Sequence, residues 1–158
     1  MEAALFSTWK NWLVRESLSD LRFPGVYALA ISDQDLSDQQ FTWLQQIVYF
    51  GMTNSVAGLK GRLKQFDNTI IGKRGHGGAD RFRYDFPVAS DLNSRLYVAV
   101  LRFSCDVGSN SPADLITMGN VAKAEYECFA EFARLWRCLP KYNNKKEAPK
   151  FSRAQRAK

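Results

Sequence analysis

Along the first twenty residues, apolar positions recur three and four apart: Leu5, Phe6, Trp9, Trp12 and Leu13. That spacing predicts an amphipathic helix running to about Glu16 and ending before Ser19-Asp20 and the Pro24-Gly25 break. FPGVYALAIS then holds an unbroken apolar run, Val26 to Ile31, of strand length. The polar stretch SDQDLSDQQ reads as a loop, and Gln46 to Gly51 as a second strand. The connection is short for a crossover, so the two strands are expected to pair antiparallel. Thr53-Asn54-Ser55 can cap a helix from about Val56 to Phe66, and the glycine-rich GKRGHGGADRFR reads as a loop. RLYVAVLRF, residues 95–103, is a third strand. A helical region starts at Ser111-Pro112, breaks near Gly119-Asn120 and resumes from Val121 to Cys138, before Pro140. The order α-β-β-α-β-α predicts an α+β fold with an antiparallel sheet of about three strands flanked by helices. The expected divisions are an N-terminal helix over 1–20, a core domain over 21–143 and a flexible basic tail over 144–158.

Length and composition narrow the class. A chain of 158 residues that is 46% hydrophobic can bury one core without disulfide staples. No apolar run approaches the roughly 20 residues a membrane span needs, and the start lacks a basic region followed by a smooth apolar stretch. Cys105, Cys128 and Cys138 are odd in number and widely spaced, which predicts free thiols in the cytoplasm, with Cys128 and Cys138 packed in the core. With a single histidine, they make a poor zinc set. The net charge of +6 is uneven: residues 141–158 hold seven Lys/Arg against Glu147, and the remainder is balanced. Such a tail suits a polyanion, and equally a solvated end that aids solubility.

Chemistry enters through an ordered set of side chains. Gly25-Val26-Tyr27 opens the first strand and Tyr49-Phe50-Gly51 closes the second. GLKGRLKQF follows with Arg62 on a helix, AEYECFAEF places Glu125 before apolar Cys128 and Phe129, and Pro140-Lys141-Tyr142-Asn143 closes the series. This set resembles the GIY-YIG nuclease superfamily, with Val26 and Phe50 where the family name has isoleucine. The resemblance covers residues 24–143. It implies a small α+β domain that hydrolyses phosphodiester bonds, DNA as the favoured substrate, and Mg²⁺ or Mn²⁺ as cofactor.

By that resemblance Tyr27 is the general base, Tyr49 orients water or phosphate, and Asn143 positions phosphate or Glu125. Arg62 supplies a permanent bidentate charge for phosphate, and Glu125 holds the metal. Glu127 and Glu131, four apart on one helix face, are rivals for that carboxylate. Family members often carry a His or Tyr one turn after the arginine; here that position is Phe66. His76, the only histidine, is the candidate replacement, as a group that exchanges protons near pH 7 or binds phosphate, or else as a plain loop residue. Lys60, Lys64, Lys73, Arg74, Arg81 and Arg83 form the expected nucleic-acid approach. A homodimer is compatible with double-strand cutting. A domain that keeps this fold and binds nucleic acid without cutting is the other reading, motivated by Phe66.

Overall fold

A computed structural model describes residues 1–73 and 75–156. The sheet has four antiparallel strands in the order β1-β4-β2-β3: β1 (Lys10–Asn11), β2 (Gly25–Ile31), β3 (Ile47–Thr53) and β4 (Leu96–Arg102). The expected sheet of about three strands therefore gains a short edge strand from the N-terminal segment. Around it lie α1 (Gly58–Ile70), α2 (Gly77–Asp85), α3 (Ala89–Asn93), α4 (Pro112–Trp136) and α5 (Phe151–Arg156). The fold is α+β, and no described helix is long and apolar enough to cross a membrane.

Central β2 is apolar throughout because both of its faces are covered. Side chains alternate across a strand, so Tyr27 and Leu29 join Tyr49, Leu63, Phe66 and Phe82 on the α1–α2 side. Val26, Ala28 and Ala30 join Phe50, Val121, Ala124 and Cys128 on the α4 side. Burial pushes the Cys128 thiol up to about 12, which suits an inert core residue. Cys138, expected in the core, is exposed.

Several local expectations are corrected. The N-terminal segment is no amphipathic helix: it forms 3₁₀ turns at Ala3–Leu5 and Trp12–Ser17 on either side of β1. Trp9 packs on one face of the sheet and Trp12 on the other, so the apolar spacing marks a chain passing round a sheet edge. Helix α1 starts at Gly58 rather than Val56, and no side chain caps it. The glycine-rich loop contains α2, and α4 runs unbroken through Gly119-Asn120. A Cβ on Gly119 would meet nothing within 4 Å. The glycine is thus a propensity cost of about 1 kcal/mol, outweighed by the burial of Val121, Ala124, Cys128 and Phe132. The basic tail turns back onto the domain: Ala148 is buried, and α5 packs against α2.

Gly51 stands opposite Tyr27 in the β2–β3 register, and a Cβ there would collide with the Tyr27 ring and hydroxyl. The glycine of Tyr-Phe-Gly, inside β3, thus makes room for the tyrosine on β2. Gly51→Ala should cost about 1–3 kcal/mol by overpacking, measured by urea denaturation; an unchanged midpoint would contradict this account of the glycine.

Candidate functional site

Tyr27 and Tyr49 lie on the same face of the sheet as diagonal neighbours across the β2–β3 pair, with ring centroids 6.0 Å apart. Tyr27 is fully buried and Tyr49 nearly so, at 9% exposure. Arg62, near the middle of α1, bears electrostatically on Tyr27, Tyr49, His76 and Glu125. Its Nη1 donates to Gln65 Oε1 at 2.7 Å, while its buried Nε has no acceptor among the described residues. Glu125 reaches the group from α4, on the opposite side of the sheet, which is possible because β3 is an edge strand. Four sequence-distant segments therefore meet around one guanidinium.

Each ionisable group departs from its ordinary value for a physical reason. Burial raises the Tyr27 phenol well above 10; Tyr49 adds to the rise and Arg62 opposes it. Burial also raises Tyr49, with Arg62 and Arg81 opposing and Glu125 reinforcing. Glu125 is raised by its own partial burial, against the pull of Arg62 and Lys145. Its rivals are engaged elsewhere. Glu131 forms a two-pronged pair with Arg134 at 2.6 and 2.9 Å, and Glu127 lies 3.5 Å from Lys123. Among the described residues Glu125 has no ion pair, and no group of three or more His, Cys, Asp or Glu side chains is placed to hold a metal.

His76 corrects the expectation that it exchanges protons near pH 7. It is 2% exposed and is the N-cap of α2, its Nδ1 accepting from the amides of Gly78 and Ala79 at 3.1 Å each. Burial, reinforced by Arg62, pushes its pKa down to about 3, so the ring stays neutral near pH 7. With Nδ1 accepting twice, the ring proton sits on Nε2. Nε2 lies 2.8 Å from Tyr27 Oη and donates to it. The ring also packs against Phe66, with centroids 5.1 Å apart. His76 thus places a fixed hydrogen-bond donor beside Phe66.

Asn143 is tied to the sheet. Its Oδ1 accepts from the Phe50 amide and its Nδ2 donates to the Phe50 carbonyl, both at 2.8 Å. Each polar atom makes one bond to the free edge of β3, which fixes the strand that carries Tyr49 and leaves a second Nδ2 hydrogen over.

The expected basic approach divides. Arg81 extends the cluster, acting on Tyr49, while its Nη1 donates to the Gly77 carbonyl at 3.1 Å. Lys73 and Arg83 line a separate pocket next to His76. Lys60 lies with Glu16 and Asp20 on another surface, Lys64 is exposed, and Arg74 falls outside the described residues. Sequence reasoning overlooked Gly78, whose missing side chain admits Tyr49: a Cβ would come within 2.6 Å of the Tyr49 hydroxyl. The glycine pair next to the only histidine was the available signal. Comparison with protein-family models, curated proteins and solved structures returns no match.

The His76 geometry yields a stability prediction. The folded-state pKa lies below the unfolded value near 6.5, so the unfolded chain takes up the proton first. The contribution to stability is complete above pH 6.5 and is lost as pH falls toward about 3, at about 1.4 kcal/mol per pH unit. His76→Ala should cost about 2–4 kcal/mol at pH 7.5, from a lost cap and an unpartnered buried phenol. His76→Asn, which retains a capping oxygen, should recover about 1 kcal/mol. Denaturation at pH 7.5 and pH 5 should show both variants with a flatter pH dependence than the native protein. Equal slopes would contradict the buried neutral ring.

Proposed function

We propose that this chain is a metal-dependent endonuclease that hydrolyses phosphodiester bonds in DNA, organised as a GIY-YIG nuclease. The observation that carries this reading is that one guanidinium, Arg62, acts electrostatically on Tyr27, Tyr49 and Glu125, which come from two strands and a third element. They follow one another along the chain in the order that superfamily uses. A four-stranded antiparallel sheet with the tyrosines on its two adjacent strands and the arginine on the next helix supports the same assignment.

In this reading the scissile phosphate binds Arg62. That side chain has no carboxylate partner among the described residues and keeps a buried donor without an acceptor. Arg81 adds a second guanidinium whose charge reaches Tyr49. Both charges offset the negative charge that builds on the phosphoryl oxygens during attack. Tyr27 takes the proton of the attacking water. It does so as the phenolate and becomes the phenol; His76 Nε2–H and the Arg62 charge stabilise that phenolate before the transfer. Tyr49 orients the water or the phosphate.

Glu125 suits a divalent cation. It is a partly buried, unpaired carboxylate whose ionisation is disfavoured until a cation arrives, and Mg²⁺ commonly takes only one or two protein carboxylates, with water and phosphate completing its shell. When bound there, Mg²⁺ or Mn²⁺ would act as a Lewis acid on the phosphate and ease departure of the leaving oxygen.

A second reading has its own observation. Tyr27 is fully buried and its phenol is held well above pKa 10, which favours a domain that binds nucleic acid without turnover.

The two readings separate on one assay. Purified protein should nick supercoiled DNA with Mg²⁺ or Mn²⁺ and stop on addition of EDTA. Tyr27→Phe, Arg62→Ala and Glu125→Gln should each lower the rate by about 10²–10⁴-fold, with far-UV circular dichroism unchanged. Salt-sensitive binding with no cleavage under any divalent ion would establish the binding domain instead.

A further inference from the structure

Next to the tyrosine cluster, on the far side of His76, lies a pocket of about 470 Å³. Its walls are the α1–α2 connection, the start of α2 and the returning tail, and it is lined by Lys73, Arg83, Lys150 and Asp80. We propose that this pocket seats a backbone phosphate of the polynucleotide strand, flanking the one held at Arg62. The proposal rests on the nuclease or nucleic-acid-binding reading above and adds a second anchoring point that the C-terminal segment builds.

Charge comes first. Three cations share the pocket with one carboxylate, and that carboxylate is already engaged: Asp80 accepts from the Ser152 hydroxyl at 2.6 Å and lies 4.0 Å from Arg83 Nη1. Lys73 and Lys150 form no ion pair among the described residues. Arg83 keeps a buried Nε with no acceptor. Like charges gathered without counterions raise the energy of the fold, and an anion relieves it. Lys150 is brought here by folding: Ala148 is buried, and the Phe151 ring lies under the Arg83 guanidinium at 4.3 Å. Its ammonium lies against Gly77, where a Cβ would come within 3.3 Å of Nζ.

Shape then selects a backbone phosphate over a free nucleotide. Arg83 already covers a face of Phe151, the only aromatic ring besides His76 in the lining, so a base has poor stacking ground. His76 lines the pocket, and its Nε2 lies 2.8 Å from Tyr27 Oη, so the pocket adjoins the tyrosine cluster. A strand with a phosphate at Arg62 can therefore place another phosphate here.

Gly77→Glu is the cleanest probe. The residue is exposed in the first turn of α2, where an acid suits both helix propensity and the macrodipole, and the new carboxylate would neutralise Lys150. Lys150→Ala is the second variant. Binding of a fluorescent oligonucleotide is measured by anisotropy in EDTA over a range of salt concentrations. In each variant the log–log salt slope should become shallower by about one, with affinity at low salt falling by about tenfold, while melting temperatures do not fall. Native slopes in both variants would overturn the proposal. So would 5′-adenosine monophosphate binding more tightly than the oligonucleotide, which would make the pocket a free-nucleotide site. The titration needs no cleavage. Shallower slopes in a protein that never cuts would count against hydrolysis alone, and cutting with native slopes in both variants would count against this pocket alone.

Discussion

A tyrosine hydroxyl sunk against the middle of a sheet must find a hydrogen-bond partner, and much of the structure around Tyr27 follows from supplying one. The partner is His76 Nε2 at 2.8 Å. To present that nitrogen as a donor, the ring must be neutral with its other nitrogen accepting, and the first turn of α2 provides two amides for this purpose. Helix α2 can come so close only because Gly78 leaves space for Tyr49, just as Gly51 leaves space for Tyr27. One buried hydroxyl thus links β2, β3 and α2. The cost of leaving it unpaired, about 1–3 kcal/mol, makes the link a strong one.

The tail extends the same dependence. Tyr142 packs against Phe82 of α2 with ring centroids 3.9 Å apart and donates to Asp85 at 2.7 Å, while Ser152 donates to Asp80. Asn143, the next residue, pins the open edge of β3 through Phe50. An exposed strand edge invites unwanted pairing, and here a single amide side chain closes part of it. The segment after α4 therefore braces both walls of the tyrosine cluster, and its positive charges arrive beside α2 as a consequence of that packing.

Strands β2, β3 and β4 were legible from the chain alone because they are largely apolar runs with little competing signal. The candidate cluster was legible for a related reason. Tyrosines at strand positions of matching parity, an arginine on the next helix and a glutamate preceding apolar helix positions leave marks in the letters. What stayed hidden depends on tertiary context. The N-terminal segment imitates a helix because Trp9 and Trp12 serve opposite faces of the sheet. Helix α2 escaped notice because its cap is a histidine, which only a buried neutral ring allows, and because its first residues are glycines required by Tyr49. The role of Asn143 could not be read from composition, since an amide that pairs with an edge strand and one that binds phosphate look the same in sequence.

The central claim is that Tyr27, Arg62 and Glu125 serve one phosphate and one cation. The most direct measurement is a crystal structure of the protein with Mn²⁺ and an uncleaved oligonucleotide, with the metal located by anomalous scattering. The account predicts a manganese peak at the Glu125 carboxylate and a phosphate oxygen within hydrogen-bond distance of the Arg62 guanidinium on the Tyr27–Tyr49 side of β3. Metal bound elsewhere, with the nucleic acid lying away from both tyrosines, would contradict it.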